Sequence, residues 1–165
     1  MPGWPTSCQS VTLLSGVHRL SDILDREPAY VPPGYSLRRR FANGVEPGFG
    51  LIKDQALLVY TTGWSLSDWT YPLMFCVAGP GAPELFATEQ RKGTQVPLGI
   101  GVTGEYHDGI WVASMDEFGN PAGRRWQVGG THSITIRNSL AVLAARGPRQ
   151  LPASELGRML SSFPL

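Results

Sequence analysis

Short apolar segments separated by glycine and proline constrain the fold of this chain more than any other feature. Segments such as QALLVYTT (55–62), PLMFCVAG (72–79) and LAVLAARG (140–147) contain the aliphatic, aromatic and β-branched residues typical of strands. Each segment ends at residues that favour turns. The sequence has 20 Gly, 14 Pro and 16% charged residues, so the pattern predicts many short strands rather than long solvated helices.

Helical periodicity is confined to two places near the ends of the chain. HRLSDILDREP (18–28) predicts a short helix that ends at Pro28, because the residue before a proline is pushed out of the α region. QLPASELGRMLSSF (150–163) predicts a longer amphipathic helix. Its apolar face comprises Leu156, Met159, Leu160 and Phe163. We therefore expect an α+β fold: a curved antiparallel sheet of about seven or eight strands, covered by a C-terminal helix, with a short N-terminal helix.

A chain of 165 residues is the size of one domain. We expect an irregular N-terminal arm at 1–16 and a single α+β domain at 17–165. The net charge of +1 creates no field that would attract nucleic acid, so no nucleic-acid partner is expected. No run of 18 apolar residues predicts a membrane span. The N-terminus lacks signal-peptide features, which leaves open a cytoplasmic protein or one whose leader or anchor was removed.

The stretch GEYHDGIWVASMDEFGN (104–120) raises the question of a catalytic or metal-binding cluster. Asp108-Gly109 favours a turn between two strands, and Gly119-Asn120-Pro121 favours a loop. A second hairpin is expected across Gly129-Gly130, whereas VPLGIGVTG (96–104) alternates as one strand. We interpret the polar residues as turn formers.

Chemical signatures are otherwise weak. A site that combines His107 and His132 with Asp116 or Glu117 is conceivable, but no spacing requires a metal. No zinc signature, nucleophile elbow or nucleotide-binding loop is present. We therefore expect no enzyme activity, cofactor or metal. A hydrolase or metal enzyme that uses His107 and His132 is the alternative.

Two further features leave alternatives open. Cys76 lies in an apolar run, where a buried thiol is common, but a disulfide with Cys8 is possible in an oxidising compartment. The segment TTGWSLSDWTYPL (61–73) contains Trp64, Trp69 and Tyr71 between two apolar strands. These rings either form a recognition surface for a ligand or partner, or fold back to cap the end of the sheet.

Three segments carry a resemblance to a known family. They are AYVPPGYSL (29–37), GIGVTGEYHDGIW (99–111) and the stretch from RRWQV to GRML (124–160). They resemble the uncharacterised bacterial domain found in the extracytoplasmic part of anti-sigma-factor-like and lipoprotein-like membrane proteins. The matching positions are Pro28, Tyr30, Pro32, Gly34, Tyr35, Val102, Gly104, Trp126, Leu151, Glu155 and Leu156.

The resemblance implies a non-catalytic sensor, or a partner- or ligand-binding domain, of bacterial envelope type. It implies a location outside the cytoplasmic membrane or near the membrane, and it supplies no catalytic residues. The partner could be a protein, a glycan or an apolar small molecule. An alternative implied by the same resemblance is a carrier that holds a lipid or another apolar ligand against the sheet, as in lipoprotein sorting.

Overall fold

A computed structural model describes residues 20–42, 54–80, 86, 91–99 and 101–164. The expected arm at 1–16 and Cys8 lie outside these residues. The described part of the chain contains three helices: α1 (Leu20–Leu24), α2 (Leu66–Thr70) and α3 (Ala153–Ser161). Its strands are β1 (Ser36–Ala42), β2 (Gln55–Thr61), β3 (Leu73–Ala78), β4 (Thr94–Gly99), β5 (Val102–Met115), β6 (Pro121–Arg137) and β7 (Val142–Pro148).

These strands form one antiparallel sheet in the order β1-β2-β3-β7-β6-β5-β4. Two meanders, β1–β3 and β4–β7, join where β7 pairs with β3. Strands β2, β3 and β7 are almost entirely buried, which explains their apolar sequences. The expected antiparallel sheet with a C-terminal helix is therefore confirmed, and the fold is α+β with a low helix content.

Helix α3 closes one face of the sheet. Its apolar face and the following Phe163 are buried against side chains of the central strands, and Phe163 stacks on Phe75 with ring centroids 5.3 Å apart. The contributing helical residues are those expected from the periodicity: Leu156, Met159 and Leu160. Burial of each such side chain stabilises the fold by about 1.5–3 kcal/mol. Ile23 of α1 joins the same core.

The division of the second meander into strands differs from the expectation. The predicted turn at His107-Asp108-Gly109 is wrong, because these residues lie inside β5. The predicted hairpin across Gly129-Gly130 is also wrong, because both glycines lie inside β6. Gly109 has a φ of +109°, and the register shifts between Asp108 and Ile110, which is the geometry of a β-bulge. Turns and bulges both use positive φ, so the local sequence does not separate them.

The first strand of that meander also ends earlier than expected. VPLGIGVTG (96–104) is divided between β4, which ends at Gly99, and β5, which begins at Val102. Positive φ values at Gly99 and Gly101 allow the chain to reverse there. The predicted loop near Gly119 is confirmed: the Asp116 carboxylate accepts hydrogen bonds from the amides of Phe118 and Asn120, at 2.9 and 2.8 Å.

Strands β5 and β6 extend beyond their neighbours. Strand β4 pairs with β5 only as far as Tyr106, and β7 pairs with β6 only as far as Thr131. The segment from Ile110 to Gln127 is therefore a two-stranded hairpin that no other described strand pairs, and we call it the ribbon. It projects from one end of the sheet.

Aromatic and cationic side chains pack on one face of the ribbon. Trp111 and Trp126 are cross-strand partners whose rings meet edge to face, 5.4 Å apart. The guanidinium of Arg91 lies 4.8 Å from the Trp126 ring, and that of Arg124 lies 4.8 Å from the Trp111 ring. Such contacts stabilise a hairpin that would otherwise be marginal on its own.

Candidate functional site

The connection between β2 and β3 is more ordered than its Ser- and Gly-containing sequence suggested, since it contains the helix α2. Ser65 is the N-cap, and Asp68 completes a capping box. Asp68 accepts hydrogen bonds from the Ser65 hydroxyl at 2.6 Å and the Ser65 amide at 3.1 Å. The hydrogen bond from the Ser65 side chain is the main reason why the pKa of Asp68 is lowered. The signal for this helix was Ser-Leu-Ser-Asp at 65–68, a capping-box pattern.

Three large apolar side chains in this segment are exposed to solvent. Trp64 is 69% exposed, Leu66 is 91% exposed and Tyr71 is 44% exposed. We call these three residues the aromatic end. Leu66 was not among the residues predicted from the sequence, because the helix that begins at this residue was not predicted. Contiguous exposed apolar side chains on a protein surface are typical of binding sites.

Trp69, the remaining aromatic residue of the predicted set, has a different role. It is partly buried and packs against Leu57 and Val59 on the sheet face opposite α3. Its ring centroid is 6.0 Å from that of Trp64. Each tryptophan therefore fits a different one of the two alternatives. Trp69 covers part of the sheet, as in the capping alternative, and Trp64 remains exposed, as in the recognition alternative.

The aromatic end is braced by neighbouring elements. The Arg38 guanidinium lies 4.5 Å from the Trp64 ring, while Arg38 Nε donates a hydrogen bond to Thr61 Oγ1 at 3.1 Å. Tyr71 packs against Gly130, where an added Cβ would lie 3.1 Å from the tyrosine ring. The aromatic end thus lies beside the base of the ribbon, at the same end of the sheet.

The two histidines of the alternative enzyme site do not meet. His107 is the cross-strand partner of Ser133, and His132 is the partner of Asp108. Directly paired residues share a face and successive residues alternate, so the two imidazoles lie on opposite faces of the sheet. A mechanism that uses both histidines on one substrate is not supported by this geometry.

Each imidazole is held by a main-chain carbonyl. His107 Nε2 donates to the carbonyl of Arg91 at 2.9 Å, and His132 Nε2 donates to that of Leu151 at 2.6 Å. A carbonyl only accepts, so both rings carry a proton on Nε2. His132 Nδ1 then accepts from the Tyr106 hydroxyl at 3.0 Å. Across the described residues, no group of three or more His, Cys, Asp or Glu side chains is arranged to hold a metal ion.

Two residues that carry the family resemblance, Tyr30 and Glu155, meet at α3. The Tyr30 hydroxyl donates to Glu155 Oε1 at 2.5 Å, which raises the pKa of Tyr30. The Tyr30 amide donates to Ser162 Oγ at 2.9 Å, and the Arg158 guanidinium lies 4.2 Å from the Tyr30 ring. The two halves of the motif therefore have a structural role, because they tie the N-terminal segment to the closing helix.

Other motif residues complete this attachment. The Tyr35 amide donates to the Pro32 carbonyl at 3.2 Å across a turn in which Gly34 has a φ of +88°. Leu151 and Leu156 pack around Gly147, where a Cβ would lie 3.2 and 3.4 Å from them.

The sheet face covered by α3 is already filled by core side chains of the protein. This leaves little room there for the apolar ligand of a carrier. Cys76 is buried beside Phe86 and Ala144 on the other face, while Cys8, the other half of the disulfide alternative, lies outside the described residues.

No family model matches the chain, and no curated protein is significantly similar to it. Among the helices that the structure describes, none has the length and apolar character needed to cross a bilayer.

Proposed function

We propose that this protein is a non-catalytic binding domain, and that the aromatic end, Trp64, Leu66 and Tyr71, is its recognition surface for a protein partner. The observation that carries the proposal is the exposure of Trp64 and Leu66, at 69% and 91%, on a segment fixed by a capping box. Exposed apolar groups that are already ordered lose little conformational entropy on binding.

The composition of this surface favours a protein partner over the other ligand classes. Trp, Tyr and Arg are the residues most often found at the energetic centres of protein–protein interfaces, and Arg38 braces Trp64 here. The surface lies at one end of the sheet, where another large surface would have access to it. Apolar side chains on the partner would be buried against Trp64 and Leu66.

The family resemblance supports the setting of this proposal. The resemblance of the N-terminal motif and the closing helix to extracytoplasmic domains of anti-sigma-factor-like and lipoprotein-like proteins favours a sensor in the bacterial envelope, outside the cytoplasmic membrane. In such a setting, the partner would be another envelope protein.

Site-specific photo-crosslinking in cells of the source organism tests the surface directly. A photoreactive phenylalanine analogue replaces Leu66 in one variant and Phe118, which is 80% exposed at the tip of the ribbon, in the control. We expect a discrete protein adduct from position 66 that is absent from position 118. Adding Trp64→Ala to the first variant should abolish the adduct.

The stability of the Trp64→Ala variant separates recognition from structural capping. Because Trp64 is largely exposed, its removal should change the free energy of unfolding by less than about 1 kcal/mol. A larger loss of stability in urea denaturation, or the same adducts from positions 66 and 118, would refute the proposal.

A further inference from the structure

A cavity of about 210 Å³ lies where the base of the ribbon meets the start of β4. It is lined by three segments: Arg91 to Thr94, Tyr106 to Asp108, and Trp126 with Val128. Pockets for drug-sized ligands usually measure about 300–1,000 Å³, so this cavity suits a smaller molecule. It is separate from the aromatic end, none of whose residues lines it.

His107 contributes a buried acceptor to this cavity. Its side chain is 2% exposed, and its Nε2 donates to the Arg91 carbonyl at 2.9 Å. The neutral imidazole carries one proton, so Nδ1 can only accept a hydrogen bond. Nδ1 is buried and has no hydrogen-bond partner among the described residues. An unpartnered buried acceptor costs free energy, which a ligand with a suitably placed N–H or O–H group would recover.

The lining of the cavity carries an excess of positive charge. Arg91 and Lys92 are both exposed, and neither forms an ion pair with a carboxylate of the described residues. Asp108 is paired with Arg149 at 3.1 Å, so it does not neutralise them. With Arg149 and the nearby Glu105 included, three cationic and two acidic residues leave one positive charge in excess. This balance favours an anion over a metal ion or an ammonium group.

The segment that carries these two cations is anchored beside the imidazole. The Arg91 guanidinium lies 4.8 Å from the Trp126 ring, while its main-chain carbonyl accepts from His107. A Cβ at Gly93 would lie 2.6 Å from the Tyr106 carbonyl oxygen and 2.8 Å from His107 Cε1, so this close approach requires glycine. A guanidinium that is already held in place loses little conformational freedom when it binds a carboxylate, to which it can donate two hydrogen bonds.

We propose that this cavity binds a small hydroxycarboxylate, whose carboxylate is held by Arg91 and Lys92 and whose hydroxyl donates a hydrogen bond to His107 Nδ1. The charge of the lining selects the carboxylate, and the unpartnered acceptor selects a neighbouring donor. A hydroxyl satisfies Nδ1 without adding positive charge beside two cations, whereas the ammonium group of an amino acid would add it. This site goes beyond the proposed recognition of a protein partner and does not depend on it.

NMR titrations of the ¹⁵N-labelled whole chain test the site with two matched pairs of compounds. Lactate and propionate differ by one hydroxyl group, and glucuronate and glucose differ by the carboxylate. We expect at least one of the two hydroxy acids to bind, at least about tenfold more tightly than the other member of its pair. Binding should shift the His107 Nδ1 resonance to lower frequency, as expected for a nitrogen that begins to accept a hydrogen bond. The titration is run at about pH 8, where imidazoles are ordinarily neutral.

Three variants separate the two parts of the recognition. Lys92→Gln removes a charge at an exposed position and should weaken binding of the hydroxy acid at least about fivefold. Arg125→Gln removes the same charge from the opposite face of the ribbon and should leave binding unchanged. His107→Phe keeps a ring but removes the acceptor, so it should abolish the advantage that the hydroxyl group confers. Circular dichroism checks folding, and if His107→Phe does not fold, the Nδ1 shift in the wild type tests the same contact.

Four outcomes would overturn the proposal. They are no binding of either hydroxy acid, equal binding within both pairs, equal effects of Lys92→Gln and Arg125→Gln, and binding that leaves the His107 Nδ1 resonance unmoved. None of them changes the result expected from photo-crosslinking at Leu66, so the cavity and the aromatic end fail or stand separately.

Discussion

Tyr60 shows how a single buried group can affect stability. Its side chain is among the most buried in the core, and its hydroxyl has no hydrogen-bond partner among the described residues. Burial, with a smaller contribution from the charge of Glu27, raises the pKa of Tyr60 to about 12. The folded-state pKa lies above the unfolded value of about 10, so the fold favours the neutral form. The stabilisation of the folded state that follows from this raised pKa is fully present below pH 10 and is lost as the pH rises from 10 to 12.

Tyr60→Phe should therefore stabilise the protein. The change keeps the ring and removes a buried hydroxyl that has no partner, so the free energy of unfolding at neutral pH should rise by about 1 kcal/mol. The difference from the wild type should widen above pH 10, because only the wild type loses stability through this group. Urea denaturation at neutral pH and through the alkaline range measures both effects. A less stable variant at neutral pH would show that the hydroxyl makes a favourable contact.

Gly109 controls the direction of a whole element. It lies at the bulge where β5 leaves the sheet and enters the ribbon. A Cβ there would lie 2.4 Å from the Gln127 carbonyl oxygen and 2.6 Å from Trp126 Nε1. The Trp126 indole donates to the Asp108 carbonyl at 2.9 Å and fixes the same corner. Both the backbone conformation and the close approach require glycine.

Comparison of two alanine substitutions separates the effect of the positive φ from the effect of the close approach at Gly109. Gly109→Ala should lower the free energy of unfolding by at least about 2 kcal/mol, because it combines a positive φ with a backbone clash. Gly123 also has a positive φ, +106°, but nothing lies near its added Cβ. Gly123→Ala should therefore cost only the conformational strain. Equal losses in chemical denaturation would mean that the close approach at Gly109 has no energetic consequence.

The accuracy of the sequence predictions at the level of elements depends on whether the signal is local. The buried strand QALLVYTT and the apolar face of α3 were predictable, because periodicity and composition are local properties. The continuity of β5 through Gly109 was not, because it depends on the pairing of Asp108 with His132 and of Ile110 with Gln127, far along the chain. Trp64 and Tyr71 stood out by residue type, whereas Leu66 becomes part of a surface only once α2 is recognised.

At the scale of the whole molecule, the fold has two parts that differ in packing. In the first part, α3 and the N-terminal motif close the sheet over one continuous core. In the second, the ribbon pairs only with itself among the described strands and relies on its Trp–Arg face. The proposed recognition surface lies beside the base of the ribbon, where Tyr71 packs against Gly130, and not over the core that stabilises the fold.

Two substitutions should therefore affect different levels of stability. Leu156→Ala leaves a cavity in the core and should lower the global free energy of unfolding by about 2–5 kcal/mol. Trp111→Ala removes the cross-strand partner of Trp126 and should change the global value by less than about 1 kcal/mol, while it increases hydrogen exchange within 110–127. Urea denaturation and exchange mass spectrometry distinguish these effects. If Trp111→Ala lowered the global value as much as Leu156→Ala, the ribbon would unfold together with the core, and the division of the fold into two parts would have no energetic basis.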